Sequence, residues 1–312
     1  MKVLVTGANG LLGQNLVGSL VTNGVNVVAT GRGSMRLPVK PFGHFKYYEA
    51  DVVDDLAIRK IFEVEKPDVL VHAAAMTQID ECEQNQEDCS AVNVRATEQL
   101  LRVAEKYNAF FLFVSTDFVF DGKKGNYREE DPVSPVSWYG HTKVLAERFV
   151  AASNISWAIV RTCLVFGNIR EGMRSNIISW VKDSLSQGKE INVVNDQFRT
   201  PTYVGDLAKG IFDVIRLKAN GIFHLSGKDV LTPYEMALAT ARYYQLNAGL
   251  VNQVDASVFT QPAKRPPRTG LDISKARRLL GYEPLSFVEG LERVGDGSEW
   301  GMVNGQWEEN YG

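Results

Sequence analysis

A tyrosine and a lysine four residues apart, in Tyr139-Gly140-His141-Thr142-Lys143, are the side chains of this 312-residue sequence that most directly suggest chemistry. Read as the start of a helix, the segment projects both from one face, one turn apart. A nearby ammonium favours a phenolate, so Tyr139 is expected to exchange a proton near neutral pH. Taken alone the spacing is weak, because Tyr and Lys at helical intervals are common on solvated faces. Its weight comes from company. Ser115-Thr116-Asp117 ends an apolar run some twenty residues upstream, where a strand-end hydroxyl could hydrogen-bond a carbonyl oxygen as it becomes an alkoxide. Strand alternation sends only one of Ser115 and Thr116 to a given face, and Thr116 is the expected choice.

A second constellation lies near the start of the chain. Gly7-Ala8-Asn9-Gly10-Leu11-Leu12-Gly13 follows a short β-branched run and opens a helical pattern. In that context a G-x-x-G-x-x-G spacing reads as a dinucleotide loop: glycine permits positive φ, leaves room for a pyrophosphate and lets the helix pack closely. The free N–H groups at the helix start then face the phosphates. The bland reading is a glycine-rich turn. After the second apolar run, Thr30-Gly31-Arg32 stands where an acidic residue would grip an adenosine ribose. Losing that carboxylate and gaining a guanidinium favours a 2′-phosphate, hence NADP(H), with NAD(H) as the alternative and a merely solvated Arg32 as the competing reading. Asp51, before Val52, either meets the adenine amino group or caps the next helix. Ala73-Ala74-Ala75 is small enough to let a cofactor lie against a sheet edge, or a helix pack there. His72 reads as a satisfied core histidine.

The elements that must hold these residues follow from periodicity. Short β-branched runs at 3–6, 25–30, 45–50, 69–72, 110–115 and 157–162 alternate with helical patterns, among them one long amphipathic helix over 87–107. Strands joined by crossover helices lie parallel with both faces covered. The expected fold is therefore α/β: a doubly wound parallel Rossmann sheet with a smaller, interleaved C-terminal substrate lobe. Residues 1–163 form the dinucleotide-binding domain, joined by parts of 197–230, and 164–312 form mainly the second lobe. In the latter we expect a helix over 176–187, a strand over 191–194, a helix over 204–216, a strand over 222–225 and, after the capping box Thr232-Pro233-Tyr234-Glu235, a helix to about 245. Residues 261–269, with Pro262, Pro266 and Pro267, read as a loop.

Bulk properties narrow the rest. With 45% hydrophobic and 23% charged residues and a formal charge of −3, the chain has a globular composition and no electrostatic case for nucleic acid or a membrane surface as partner. Three cysteines without C-x-x-C spacing argue against a disulfide framework or a metal site and fit a reduced cytoplasm. The opening apolar run is too short for a signal segment. A homodimer is left open.

Together these motifs resemble the extended short-chain dehydrogenase/reductase superfamily and, more narrowly, the dTDP-4-dehydrorhamnose reductase family, over nearly the whole chain. The glycine loop, Ser115-Thr116-Asp117-Phe118-Val119-Phe120-Asp121-Gly122, Tyr139 to Lys143, Asn195-Asp196-Gln197-Phe198, and Arg265-Pro266 with Leu271-Asp272 carry the likeness. It implies NADPH-dependent reduction of the C4 ketone of a nucleotide-activated deoxysugar, with Thr116, Tyr139 and Lys143 as the catalytic group. Cofactor contacts are then expected from Gly7, Asn9, Gly10, Leu11, Leu12, Gly13, Arg32, Asp51, Val52, Ala73, Ala74, Ala75, Ser115, Tyr139 and Lys143, and substrate contacts from Thr116, Leu164, Gln197, Arg199 and Arg265. Two positions depart: Leu164 replaces a common tryptophan, and Arg199 a common glycine. The sequence is also similar to the regulatory β subunit of methionine adenosyltransferase through Arg199-Thr200-Pro201-Thr202, Phe223-His224-Leu225-Ser226-Gly227 and Tyr234-Glu235-Met236-Ala237. That resemblance implies a non-catalytic, NADP-binding alternative; a reductase or epimerase on another sugar nucleotide is the third.

Overall fold

The computed structural model describes residues 1–37, 44–170, 172–296, 302–303 and 306–307. Its centre is a sheet of seven parallel strands built in chain order from β1 (Lys2–Thr6), β2 (Asn26–Gly31), β3 (Phe45–Glu49), β4 (Val69–His72), β5 (Phe110–Thr116), β6 (Trp157–Thr162) and an edge strand, Gly221–His224. Spatially they run from that edge strand through β6, β5, β4 and β1 to β2 and β3. The order reverses between β1 and β4, and a doubly wound sheet binds ligands at such a switch point, beyond the carboxyl ends of its strands. The central strands are mostly apolar because helices cover both faces, while the edge strand β3, Phe45-Lys46-Tyr47-Tyr48-Glu49, is partly exposed. Alternation divides them: Val3 and Val5 pack with Leu16, Leu20, Ile211 and Val214 on one side, while Leu4 packs with Ile58, Phe62, Leu100 and Phe111 on the other.

The helices carry recognisable starts. α1 (Leu11–Thr22) follows Gly10, and α2 (Asp55–Glu65) is capped by Asp54, whose carboxylate accepts from the Ala57 N–H at 3.0 Å. The expected helix over 87–107 is present, with one irregular turn inside it. α3 (Ile79–Gln84) and α4 (Gln86–Ser90) lead into a π-helical turn, Ala91–Arg95, before α5 (Ala96–Tyr107). The wider turn brings Asn93 to the interior, where it bonds both main-chain polar groups of Met76.

After α6 (Trp138–Ala151) and β6 the chain makes β7 (Val165–Phe166), α7 (Ile177–Ser186), β8 (Ile191–Val194) and β9 (Thr202–Tyr203). α8 (Val204–Leu217) then packs on α1, and β10 (Gly221–His224) completes the sheet beside β6. α9 (Pro233–Tyr243) begins with the expected capping box at Thr232 and Glu235. It joins α7, β8 and β11 (Val251–Val254) in a smaller cluster around Val181, Leu185, Ile191, Ala237 and Val251. α10 (Ser274–Leu280) and α11 (Phe287–Gly295) close the described chain's helical part. Among the described residues no helix is long and apolar enough to cross a membrane.

Candidate active site

Three glycines shape the turn between β1 and α1, each for a different steric reason. Gly7 has φ of +70° and its α-carbon faces the backbone of Ala73 and Ala74, so a Cβ would lie 2.8 Å from Ala74. Gly13 is tighter still, with its Cβ position 2.2 Å from the Gly7 carbonyl oxygen. Gly10 is the exposed N-cap and has no side chain to occupy the first-turn N–H groups. The main-chain donors of Leu11, Leu12 and Gly13 are left for an anion. Ala73, Ala74 and Ala75, half-buried after β4, form the opposite wall.

Asn9 does something the motif does not disclose. Its amide donates to the carbonyls of Arg32 and Ser34 at 3.0 and 3.1 Å, and its oxygen accepts from the Arg36 N–H at 2.9 Å. Asn9 thereby shapes the loop after β2 and leaves the Arg32 side chain exposed beside the glycine turn. Asp51 accepts from the Val53 N–H at 3.2 Å in a local turn, while Asp54 caps α2; the capping alternative for Asp51 is thus set aside. Val52 is buried in the core under β2. His72 sits between the hydroxyls of Thr6 and Thr97 at 2.9 and 3.0 Å, a satisfied core histidine.

The carboxyl end of β5 and the first turn of α6 bring together Thr116, Tyr139 and Lys143, which are 6%, 8% and 2% exposed, so little water screens charge there. Ser137 caps α6 through the Gly140 N–H. Gly140 packs so closely on the Phe118 carbonyl that a Cβ would lie 2.2 Å from it, which fixes the helix start against the strand end. The Lys143 ammonium donates to the Val114 carbonyl at 2.7 Å and lies 4.0 Å from the Phe113 ring centroid. Burial lowers its pKa to about 7, against the opposing pull of Glu147. Tyr139 corrects the expectation of a phenolate: burial pushes its pKa well up, the nearby Thr116 hydroxyl pulls it down, and the Asp117 carboxylate pushes it up again. Desolvation outweighs the Thr116 hydrogen bond, so the phenol holds its proton.

Ser115 points away from this group. Its hydroxyl donates at 2.6 Å to Glu147, which also takes a bidentate ion pair from Arg161, leaving only the Ser115 main chain for a ligand. Thr116 instead donates to Asp117 at 3.1 Å. That buried carboxylate also accepts from Thr269 and, at 3.2 Å, from Cys163. Sequence reasoning passed over Asp117 although it adjoins Thr116, and over Asn93, whose signal was a polar residue on the apolar face of a helix.

The residues expected on the substrate side have diverse placements. Leu164 is 40% exposed with φ of +41°, a conformation costing a bulky residue about 1–3 kcal/mol. Its carbonyl accepts from Thr202 where β7 and β9 pair. Arg199 is buried over the Phe118 ring, donating to the carbonyls of Phe198 and Pro267 and to Gln197. Arg265 is half-buried rather than simply solvated, and makes two bonds of 2.7 and 2.6 Å to Asp80 at the start of α3. That partner, 185 residues away, had no signal in the sequence.

Comparison with known proteins agrees with the fold. The family described as "RmlD substrate binding domain" matches residues 1–298. A dTDP-4-dehydrorhamnose reductase from Aggregatibacter actinomycetemcomitans is 30% identical over 305 residues, covering 94% of this chain and 98% of its own. Methionine adenosyltransferase 2 subunit beta from Pongo abelii is 32% identical over 297 residues, with 93% and 86% covered. The crystal structure of a dTDP-4-dehydrorhamnose reductase from Bacillus anthracis in complex with NADP superposes with a TM-score of 0.83 at 25% identity, covering 95% of this chain and 99% of that one. The chain belongs to the dTDP-4-dehydrorhamnose reductase family of extended short-chain dehydrogenase/reductases, a family of NAD(P)-dependent oxidoreductases.

Proposed function

We propose that the chain reduces the C4 ketone of a nucleotide-activated deoxysugar with NADPH. The observation that carries this reading is the convergence of Thr116, Tyr139 and Lys143 at the carboxyl edge of the sheet, in a nearly dry site next to the glycine turn. The turn suits a dinucleotide: Gly7, Gly10 and Gly13 leave the space that side chains would fill, and the first N–H groups of α1 face the pyrophosphate. Arg32 pairs with the 2′-phosphate, and the NADP complex of the Bacillus anthracis reductase supports that choice.

When bound, the dihydronicotinamide supplies the hydride. Tyr139, held protonated by burial, donates its proton to the alkoxide oxygen as it forms, and the Thr116 hydroxyl turns toward the same oxygen the one proton it gives to Asp117 in the free chain. Lys143, anchored on Val114, places positive charge beside the phenolate left behind.

NADPH oxidation followed by absorbance against 4-keto sugars linked to dTDP, UDP and GDP tests this. We expect turnover on a dTDP-linked 4-keto-6-deoxy sugar, slowed by a factor on the order of 10² to 10⁴ in Tyr139→Phe. Tight NADP binding with no turnover on any of them would instead favour a regulatory role, as in the methionine adenosyltransferase subunit this chain is similar to.

A further inference from the structure

Beneath the active site lies a pair of nucleophiles that the reduction does not use. Cys82 on α3 and Cys89 on α4 are both 0% exposed and pack with Phe118 and Tyr139 under Met76, Ile79 and Trp138. The two thiols meet one polar link, the Asn93 amide bonded to the Met76 carbonyl at 3.0 Å. The Cys89 sulfur also accepts from the Asn93 amide at 3.3 Å and lies 3.8 Å from the Thr142 hydroxyl, while Cys82 donates to the Met76 carbonyl at 3.4 Å. Thr142 in turn donates to the Tyr139 carbonyl at 2.7 Å, so the pair touches the turn of α6 that carries Tyr139 and Lys143.

We propose that Cys82 and Cys89 are a dithiol that a small hydroperoxide closes reversibly to a disulfide, displacing the turn that holds the catalytic pair. The surroundings divide the two roles. Cys89 is held below the usual thiol range by Cys82 first and then, against burial, by Thr142, the Lys143 ammonium and Asn93, whereas the contact with Cys89 and burial push Cys82 up. The Cys89 thiolate attacks a peroxide oxygen; the O–O bond breaks, giving a sulfenic acid and hydroxide, which takes a proton to become water. The Cys82 sulfur then attacks the Cys89 sulfur, loses its proton and expels the sulfenic oxygen as a second water. Two thiols are oxidised and one peroxide is reduced to two waters.

Burial selects the oxidant by size. Cys82 sits on a helix of six residues and Cys89 in the first turn of the helical stretch that runs from Gln86 through the π turn to Tyr107, and neither start has a side-chain N-cap bond. So short a helix depends on tertiary contacts and an uncapped first turn frays, so the segment opens locally, enough for a molecule near the size of water. A closed S–S bond of about 2.0 Å draws both sulfurs away from Asn93, Thr142 and Met76.

The test uses the full chain treated with hydrogen peroxide, alkylated and digested with trypsin. Both cysteines fall in one tryptic peptide, residues 61–95, while Cys163, bonded to Asp117, serves as an internal reference. The expected peptide escapes alkylation and lacks two hydrogens, and dithiothreitol restores it. Alongside it kcat should fall on the order of tenfold or more and recover. Cys82→Ser, which keeps a donor for Met76, should show no reversible fall; Cys82→Ala serves if the serine variant does not fold. Two free thiols after peroxide overturn the proposal. The effect on turnover rests on the reductase reading, so NADP affinity is measured in parallel: with no turnover on any sugar, the peptide mass still tests the disulfide and NADP affinity tests its effect. A disulfide that changes neither turnover nor NADP affinity overturns the coupling.

Discussion

Lys143 shows how far a side chain's chemistry depends on what surrounds it. The spacing to Tyr139 was legible in the sequence, but the protonation of neither residue was, because burial depends on Phe113, Val114 and Phe118 from other elements. With its pKa lowered to about 7 by desolvation, Lys143 carries its charge below that pH and loses it above. If that charge stabilises the phenolate, kcat/KM, which reports the free enzyme, should decline as pH rises through about 7. Lys143→Arg, which stays charged, should abolish that alkaline decline even where its rate is lower. An unchanged profile in the arginine variant would assign the titration to another group. The same logic covers Arg32, whose side chain is exposed beside the glycine turn: Arg32→Ala should weaken NADPH far more than NADH, as read by fluorescence titration of both. Equal losses would remove the 2′-phosphate contact.

At the level of elements, the glycine turn separates packing from binding. Gly13→Ala forces a Cβ to within 2.2 Å of the Gly7 carbonyl oxygen and 2.6 Å of the Ala8 α-carbon, both backbone, so α1 must move off the sheet. Overpacking of that kind costs about 1–3 kcal/mol, and the displaced helix start should also weaken NADP. Gly10→Ala meets only the Gly7 carbonyl oxygen, at 3.3 Å, and should leave urea stability nearly unchanged while still crowding the phosphates. Equal destabilisation of the two variants would refute this division. The strands from β1 to β6 were readable because each is a short run rich in β-branched or aromatic residues, most of them set between helical patterns. The irregular turn before α5 was not, since a π turn leaves the amphipathic period almost intact and is set by what Asn93 reaches, Met76 and Thr142. Short pairings such as β7 with β9 were equally hidden, because two residues carry no period.

Over the whole molecule, polar groups closed inside the sheet tie stability to pH. His72 on β4 and His224 on β10 are both held to a pKa of about 3, by burial first and by the nearby Lys143 and Arg161 cations second. In the unfolded chain a histidine protonates near pH 6.5, so between about 6.5 and 3 the unfolded state binds more protons and acid draws the equilibrium toward it. The stability these neutral rings contribute is complete above about pH 6.5 and is lost progressively as pH falls toward the folded values. Asp206 opposes this, since burial raises its pKa to about 6 and folding then takes up a proton below that pH. The net slope therefore mixes signs, and a single-site difference isolates one of them. At about 1.4 kcal/mol per pH unit for a fully titrating group, His72 alone should remove on the order of 2 kcal/mol between pH 7 and 5. His72→Asn keeps a donor and an acceptor between Thr6 and Thr97 but cannot take the proton, so whatever its stability at pH 7, its urea-unfolding free energy should fall less steeply toward pH 5 than the parent's by that amount. Parallel pH dependences would mean that His72 already charges in the folded protein, and that water reaches the ring between Thr6 and Thr97.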